Sequence, residues 1–273
     1  MKHILTAILT AIASIAYATA QPDSVAIADT SKDTDIATAA EPAPGFLAQQ
    51  ADSAYAQDNF ALAERLYLES IKQDGTSSTI FYNMGNAYYR QGNLGKAIVN
   101  YERALKLDPT NADARDNLDF VKSKITDRQI DEGSIMTKLW HNVISTFKAD
   151  TWAWIAVILF ALFLAGAFTY MLSSVILIKK LSFFGGMIIF MLCALTIIIS
   201  FAAANRVADN RYAIILPPSA QLSTTPREAR TQAEEAFLLH EGTKVEIVDS
   251  ISGSSGEKWY EVKVGGRERA WIK

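Results

Sequence analysis

Residues 152–204 read WAWIAVILFALFLAGAFTYMLSSVILIKKLSFFGGMIIFMLCALTIIISFAAA, two apolar runs parted only by Lys179 and Lys180. No charged residue stands between Trp152 and Ile178, and none between Leu181 and Ala204. Each run exceeds the ~20 residues a helix needs to cross a hydrocarbon layer ~30 Å thick. Each Leu, Ile, Phe or Val favours insertion by roughly 0.3–0.6 kcal/mol, and no charge opposes it. Reading the runs as buried helices of a soluble domain would demand a core that the rest of the chain does not supply. The expectation is a membrane hairpin, with a first span over 152–178, a turn at 179–180 and a second span over 181–204. Ala161, Ala165 and Gly166 in one span, with Gly185 and Gly186 in the other, offer small surfaces for close helix approach.

The 273 residues are 50% hydrophobic with a net charge of −3, so no strongly basic surface points to nucleic acid. Cys193 is the only cysteine and lies inside the second run, which excludes intrachain disulfides and cysteine-built metal sites. His3, His141 and His240 stand in unrelated contexts, and no serine or carboxylate pair sits in a recognisable catalytic motif. No enzymatic activity, catalytic residue, metal or cofactor is expected.

Upstream, Lys2 and His3 precede an apolar run that ends in Ala18-Thr19-Ala20, the parts of a signal peptide over residues 1–20. Residues 21–44, rich in Ala, Thr, Asp and Pro, have no helical stripe and read as a disordered leader. Residues 45–128 then repeat at an offset of 34, pairing Phe60 with Leu94, Ala63 with Ala97, Tyr67 with Tyr101 and Ser70 with Ala104. The second copy, IFYNMGNAYYRQGNLGKAIVNYERALKLDP at 80–109, resembles the tetratricopeptide repeat (TPR). Gly85, Ala97 and Ala104 let two helices approach, Tyr88 and Tyr101 fill the space between pairs, and Pro109 closes the second helix. The first copy departs from the motif, with Ala51 in place of glycine and Gly75 in place of proline. NADARDNLDFVKSKI at 111–125 supplies one capping helix, with Leu118 and Val121 to cover the open edge.

By motif position the concave side of the repeat receives Tyr82, Asn83, Asn86, Tyr89 and Arg90, the candidate protein-binding residues. Amides there offer both donor and acceptor to an extended peptide backbone. The face resembles a carboxylate-clamping groove in part, but Ala48 and Asp113 stand where lysines are expected, so the ligand expected is an internal segment. Changing Asn86 or Arg90 touches no expected core contact.

Residues 129–150 carry Ile135, Leu139, Trp140, Val143 and Phe147 at helical spacing, an amphipathic juxtamembrane helix. It either lies along the membrane surface or packs on the repeats. Beyond Asn205, six short β runs separated by turn residues fill 210–273. FLLHEGTKVEIVD, followed by Trp259 and the AWI at 270–272, resembles a bacterial SH3-like domain, and the two tryptophans read as core. The fold class expected is a multi-domain membrane protein: an all-α TPR helical repeat, a two-helix transmembrane hairpin and a small all-β SH3-like barrel. Basic short loops stay in the cytoplasm, so Lys179-Lys180 and the signal peptide together put both folded parts on the periplasmic side.

This order of parts, with DARDNLDF at 113–120, the paired spans and LLHEGTKV at 238–245, resembles the E-type member of the aerotolerance (Bat) family. The resemblance implies a bacterial inner-membrane scaffold in cell-envelope integrity or oxygen-stress tolerance. Its implied partners are von Willebrand A-type membrane proteins and, indirectly, a MoxR-type ATPase. The alternative is an envelope tether whose SH3-like domain binds peptidoglycan. A transport role is disfavoured because neither span carries an Asp, Glu, Lys, Arg or His.

Overall fold

The computed structural model describes residues 45–127, 134–228, 230–252, 256–264 and 268–273. The signal peptide expected over 1–20 and the leader expected over 21–44 lie outside the described residues. Five helices come first: α1 (Phe46–Ala56), α2 (Phe60–Asp74), α3 (Ser78–Arg90), α4 (Leu94–Leu107) and α5 (Ala112–Lys122). Each of three begins on a side chain that accepts from an orphan backbone N–H: Asn59 from Leu62, Ser77 from Ile80 and Asn111 from Ala114. The turns repeat as well, because Asp58 (φ 58°) and, 34 residues on, Gly92 (φ 79°) both take the left-handed conformation. Gly75 sits at φ 88°, which proline's fixed φ near −65° cannot reach, so the departure at this position is a different way of ending the helix. Ala63, Tyr67, Met84, Ala97, Tyr101 and Ala104 form the buried seam, and Leu118 and Val121 of α5 close it. A β-carbon on Gly85 would lie 2.6 Å from the Tyr101 ring, which is why the helix must be bare there.

α6 (Ile135–Ile144) leads into α7 (Ala149–Leu172) and α8 (Ile176–Ala208), both long and apolar enough to cross a membrane. Only 6% and 22% of their most apolar windows are buried inside the protein, whereas a soluble core helix would be mostly covered. The turn between them differs from the expectation. Lys179 and Lys180 lie within α8, and the chain reverses at Ser173–Val175. Ser173 accepts from the Val175 N–H, a local bond that competes with helix, whereas lysine is a good helix former. The basic pair therefore stands at the fourth and fifth residues of a helix about 50 Å long. Of the small residues, Gly186 faces Phe163 of α7, but Gly166 and Gly185 face open space. The hairpin is instead seated on Ala156 and Cys193, whose thiol donates to the Ala156 carbonyl at 3.5 Å.

The C-terminal part is a six-stranded antiparallel sheet: β1 (Tyr212–Ile214), β2 (Ser219–Ser223), β3 (Glu235–His240), β4 (Lys244–Ser252), β5 (Lys258–Val264) and β6 (Glu268–Ile272). The strand order is β1-β4-β5-β6-β2-β3. Leu222, Leu239, Val245, Val262 and Ala270 make its core; Trp259 is buried and Trp271 half-buried.

The sheet docks on the outer face of α4, a contact that no motif announces. Gly95 N–H donates to Glu241 Oε1 at 2.7 Å, and Gly242 lies against Ile98 and Ile125. Asp127 accepts from the His240 N–H and from Thr243 Oγ1, both at 2.7 Å, and lies 2.9 Å from His240 Nδ1. Glu102 sits between Lys122 at 2.8 Å and Lys244 at 3.1 Å. Burial alone would raise the Glu102 carboxyl, but Lys244 and Lys122 outweigh it and hold it below its ordinary range. The bonds from Thr243 and His240 likewise overcome burial at Asp127.

Two depressed carboxylates set the pH dependence of this docking. Their contribution is complete above the ordinary carboxylate range, about pH 4–4.5, and is lost as pH falls through their lower folded values. Hydrogen exchange at Gly95–Ile98, corrected for its intrinsic pH dependence, should stay flat from neutrality to that range and accelerate below it. Gly242→Ala should have the same effect at neutral pH. Its β-carbon would meet Ile125 Cγ2 at 2.6 Å and Ile98 Cδ1 at 3.0 Å, at a φ of 87° that L side chains rarely adopt. Unchanged protection in that variant would show that the docking is not held there.

Candidate protein-binding groove

α1, α3 and α5 are the first helices of successive pairs, the ones that by motif position line the concave side of such a repeat. Their polar residues form a ladder with the same 34-residue period as the fold. In its first rung, Tyr67 of α2 donates through its hydroxyl to Asp52 Oδ1 at 2.5 Å, and Asn83 of α3 donates to the same oxygen at 2.9 Å. In the second, Tyr101 of α4 donates to Asn86 Oδ1 at 2.7 Å, and Asn117 of α5 donates to it at 2.9 Å. Asp52, Tyr67 and Asn83 thus recur as Asn86, Tyr101 and Asn117. Each rung ties the two helices of a pair to the first helix of the next. Burial pushes the Tyr67 and Tyr101 hydroxyls well above their ordinary pKa, so both remain donors at any physiological pH.

The five residues expected to bind a ligand lie on α3, but the structure gives them unequal roles. Asn83 and Asn86 are half-buried and already hold rungs. Their remaining groups, the Asn83 carbonyl and the Asn86 amide N–H, are what a peptide backbone would meet. The expectation that Asn86 is free of core contact is therefore corrected: it is the acceptor of a buried tyrosine. Tyr82 packs 6.2 Å from the Tyr101 ring. Tyr89 meets Phe120 edge-on at 5.8 Å, and Lys124 caps Phe120 from 4.6 Å. Arg90 turns to the edge, paired with Asp58 at 2.9 Å and stacked over Phe60 at 4.6 Å.

Sequence reasoning missed Asp52, Asn117 and Phe120. The first two were available by carrying the 34-residue offset to polar positions, since Asp52 aligns with Asn86 and Asn83 with Asn117. Phe120, 51% exposed, gives the capping end of the groove an apolar step beside Tyr89.

Because copy one uses Asp at the rung that copy two fills with Asn, Asn86→Asp should keep both acceptor bonds and fold normally. Asn86→Ala leaves the Tyr101 hydroxyl and the Asn117 amide without their acceptor and should cost about 1–3 kcal/mol in denaturant unfolding. Equal stability of the two variants would dissolve the ladder.

Residues 78–111 match the tetratricopeptide repeat family model, a span that runs from the start of α3 to the N-cap of α5. No curated protein matches the chain. On the geometry and that match together, α3 and α4 are a tetratricopeptide repeat, a unit that generally mediates protein–protein contact.

Proposed function

We propose that this chain is a membrane-anchored adaptor that holds a segment of another protein in the groove of its repeat. One observation carries the reading: the outer face of α4 is spent on the sheet, while the ladder-floored side across α1, α3 and α5 faces outward with its aromatic step exposed. An extended internal segment suits the groove, since the Asn83 carbonyl and Asn86 amide present one acceptor and one donor type to a passing backbone. The role is binding, without chemistry.

The finer identity rests on the family resemblance. We infer a bacterial inner-membrane protein with repeat and sheet on the periplasmic side, working in a Bat-type assembly for envelope integrity or oxygen tolerance. Its partners on this reading are von Willebrand A-type membrane proteins and, through them, a MoxR-type ATPase. An SH3-like barrel bound to peptidoglycan is the competing role for the C-terminal sheet. Trp259 is buried in the sheet, as a core residue would be, and offers that role no surface.

Two experiments test this. Single cysteines at Ser123 and Lys180, in a Cys193→Ser background, should divide by side: Ser123 reacts with an impermeant thiol reagent once the outer barrier is open, and Lys180 only after the inner membrane is permeabilised. Reaction at Lys180 from outside reverses the orientation. For the groove, a photo-crosslinker at Tyr82 should capture the partner in intact membranes. Arg90→Ala with Phe120→Ala removes a surface pair of little worth and an exposed ring, so the fold should hold. Capture should fall at least about tenfold, the equivalent of ~1.4 kcal/mol. Full capture by a folded double variant would place the site elsewhere.

A further inference from the structure

The short helix α6 presents an apolar face that nothing in the described residues covers. Ile135, Met136, Leu139, Trp140 and Val143 fall within one arc of about 140° at 100° per residue. They are exposed, Ile135 by 80% and Met136 by 74%. The opposite side carries His141 and Lys138. Sequence left two places for this helix, and it does not spend this face on the repeats.

Its direction is fixed by contacts at its C-terminal end. Ile144 is buried against Ile199 and Ala203 of α8. Ser145 Oγ accepts from Arg206, and Lys148 pairs with Asp108 at the end of α4 at 2.8 Å. The apolar arc therefore points outward beside the start of α7, four residues away. It continues into the exposed apolar surface of both long helices through Phe147, whose ring meets Trp152 edge-on at 5.4 Å. Trp140 and Trp154, both exposed, stand on either side of this junction in the chain, and aromatic side chains of this kind are enriched where lipid meets water.

We propose that this face of α6 lies in the interfacial layer of the bilayer, on the same side as the repeat and the sheet. The occupant is a lipid surface, chosen because the face is continuous with the one the spans present to hydrocarbon. The inference rests on reading α7 and α8 as membrane spans. An amphipathic helix seated in this way buries its apolar side about 5–10 Å into the headgroup boundary. Joined to α4 through Lys148 and Asp108, α6 would hold the repeat at one angle to the membrane instead of leaving it on a swivel.

The test uses the full chain in vesicles of phosphatidylethanolamine and phosphatidylglycerol. Nitroxide labels are placed one at a time by Leu139→Cys, Val143→Cys, His141→Cys and Leu162→Cys, each with Cys193→Ser. Collision with oxygen, which partitions into lipid, is compared with collision with a water-soluble nickel chelate. The oxygen-to-nickel ratio at Leu139 and Val143 should exceed that at His141 several-fold and fall short of that at Leu162 in mid-span. Ratios at Leu139 and Val143 equal to that at His141 would overturn the proposal. Shielding of both from either reagent would overturn it too, in favour of a protein occupant; dipolar broadening between labels would identify that occupant as a second copy. A water-like signal at Leu162 would instead defeat the span reading itself, and the two failures are told apart by that label.

Discussion

Arg206, in the last turn of α8, donates to the Leu105 carbonyl near the end of α4 at 2.9 Å and to Ser145 beyond α6. In return Lys106, in the last turn of α4, donates to the carbonyl of Asp209, the residue that caps α8. The final carbonyls of a helix have no partner within it and carry partial negative charge. Here each of two helix ends supplies the cation the other requires. The Lys148–Asp108 pair adds a third joint, between the cap of α4 and the residue that opens α7. Repeat, juxtamembrane helix and apolar hairpin thus meet at one corner.

That corner dictates where the sheet can go. Asp209 is already tied to α4, and β1 begins three residues later, so the sheet has little choice but to settle along the same helix. Gly95, Ile98 and Glu102 lie on one stripe of α4 and receive it. The opposite stripe, with Ala97, Tyr101 and Ala104, belongs to the repeat core. α4 is therefore committed on two sides, and its first-helix neighbours keep the concave surface open. A repeat of only two full pairs and a cap is short for an independent solenoid. Docking on its second pair supplies apolar and ionic contact that a further repeat would otherwise provide.

The groove has a division of labour that the side-chain types alone do not disclose. Asparagines on a concave face look available because both halves of the amide can bond to a peptide. In the folded chain one half of each is committed to joining helices. The ladder makes the groove floor rigid, and it limits what a ligand can take from Asn83 and Asn86 to one group apiece. Of the aromatic pair beside them, Tyr89 is half-buried and Phe120 is exposed, with Lys124 over its ring.

Much of this was legible in the residues. A 34-residue period, small residues facing tyrosines, two uncharged apolar runs and six β runs with turn residues between them each express a local rule. Repetition, period and hydropathy act over neighbours in the chain, and neighbours are what a sequence displays. The helix ends were partly legible too: Asn59, Ser77 and Asn111 are good caps, whereas the reversal at Ser173–Val175 went to a weak local bond within an apolar run while the more conspicuous lysines stayed helical. What the sequence could not determine depends on residues a hundred or more positions apart. Asp127 and His240, Glu102 and Lys244, and Lys106 and Asp209 carry no shared pattern, since an ion pair or a capped carbonyl needs only a suitable group arriving at the right place. Only the tertiary structure decided that the sheet covers α4 and that α6 turns its apolar face away from the protein; over a shorter separation it also decided that Asn86 holds Tyr101.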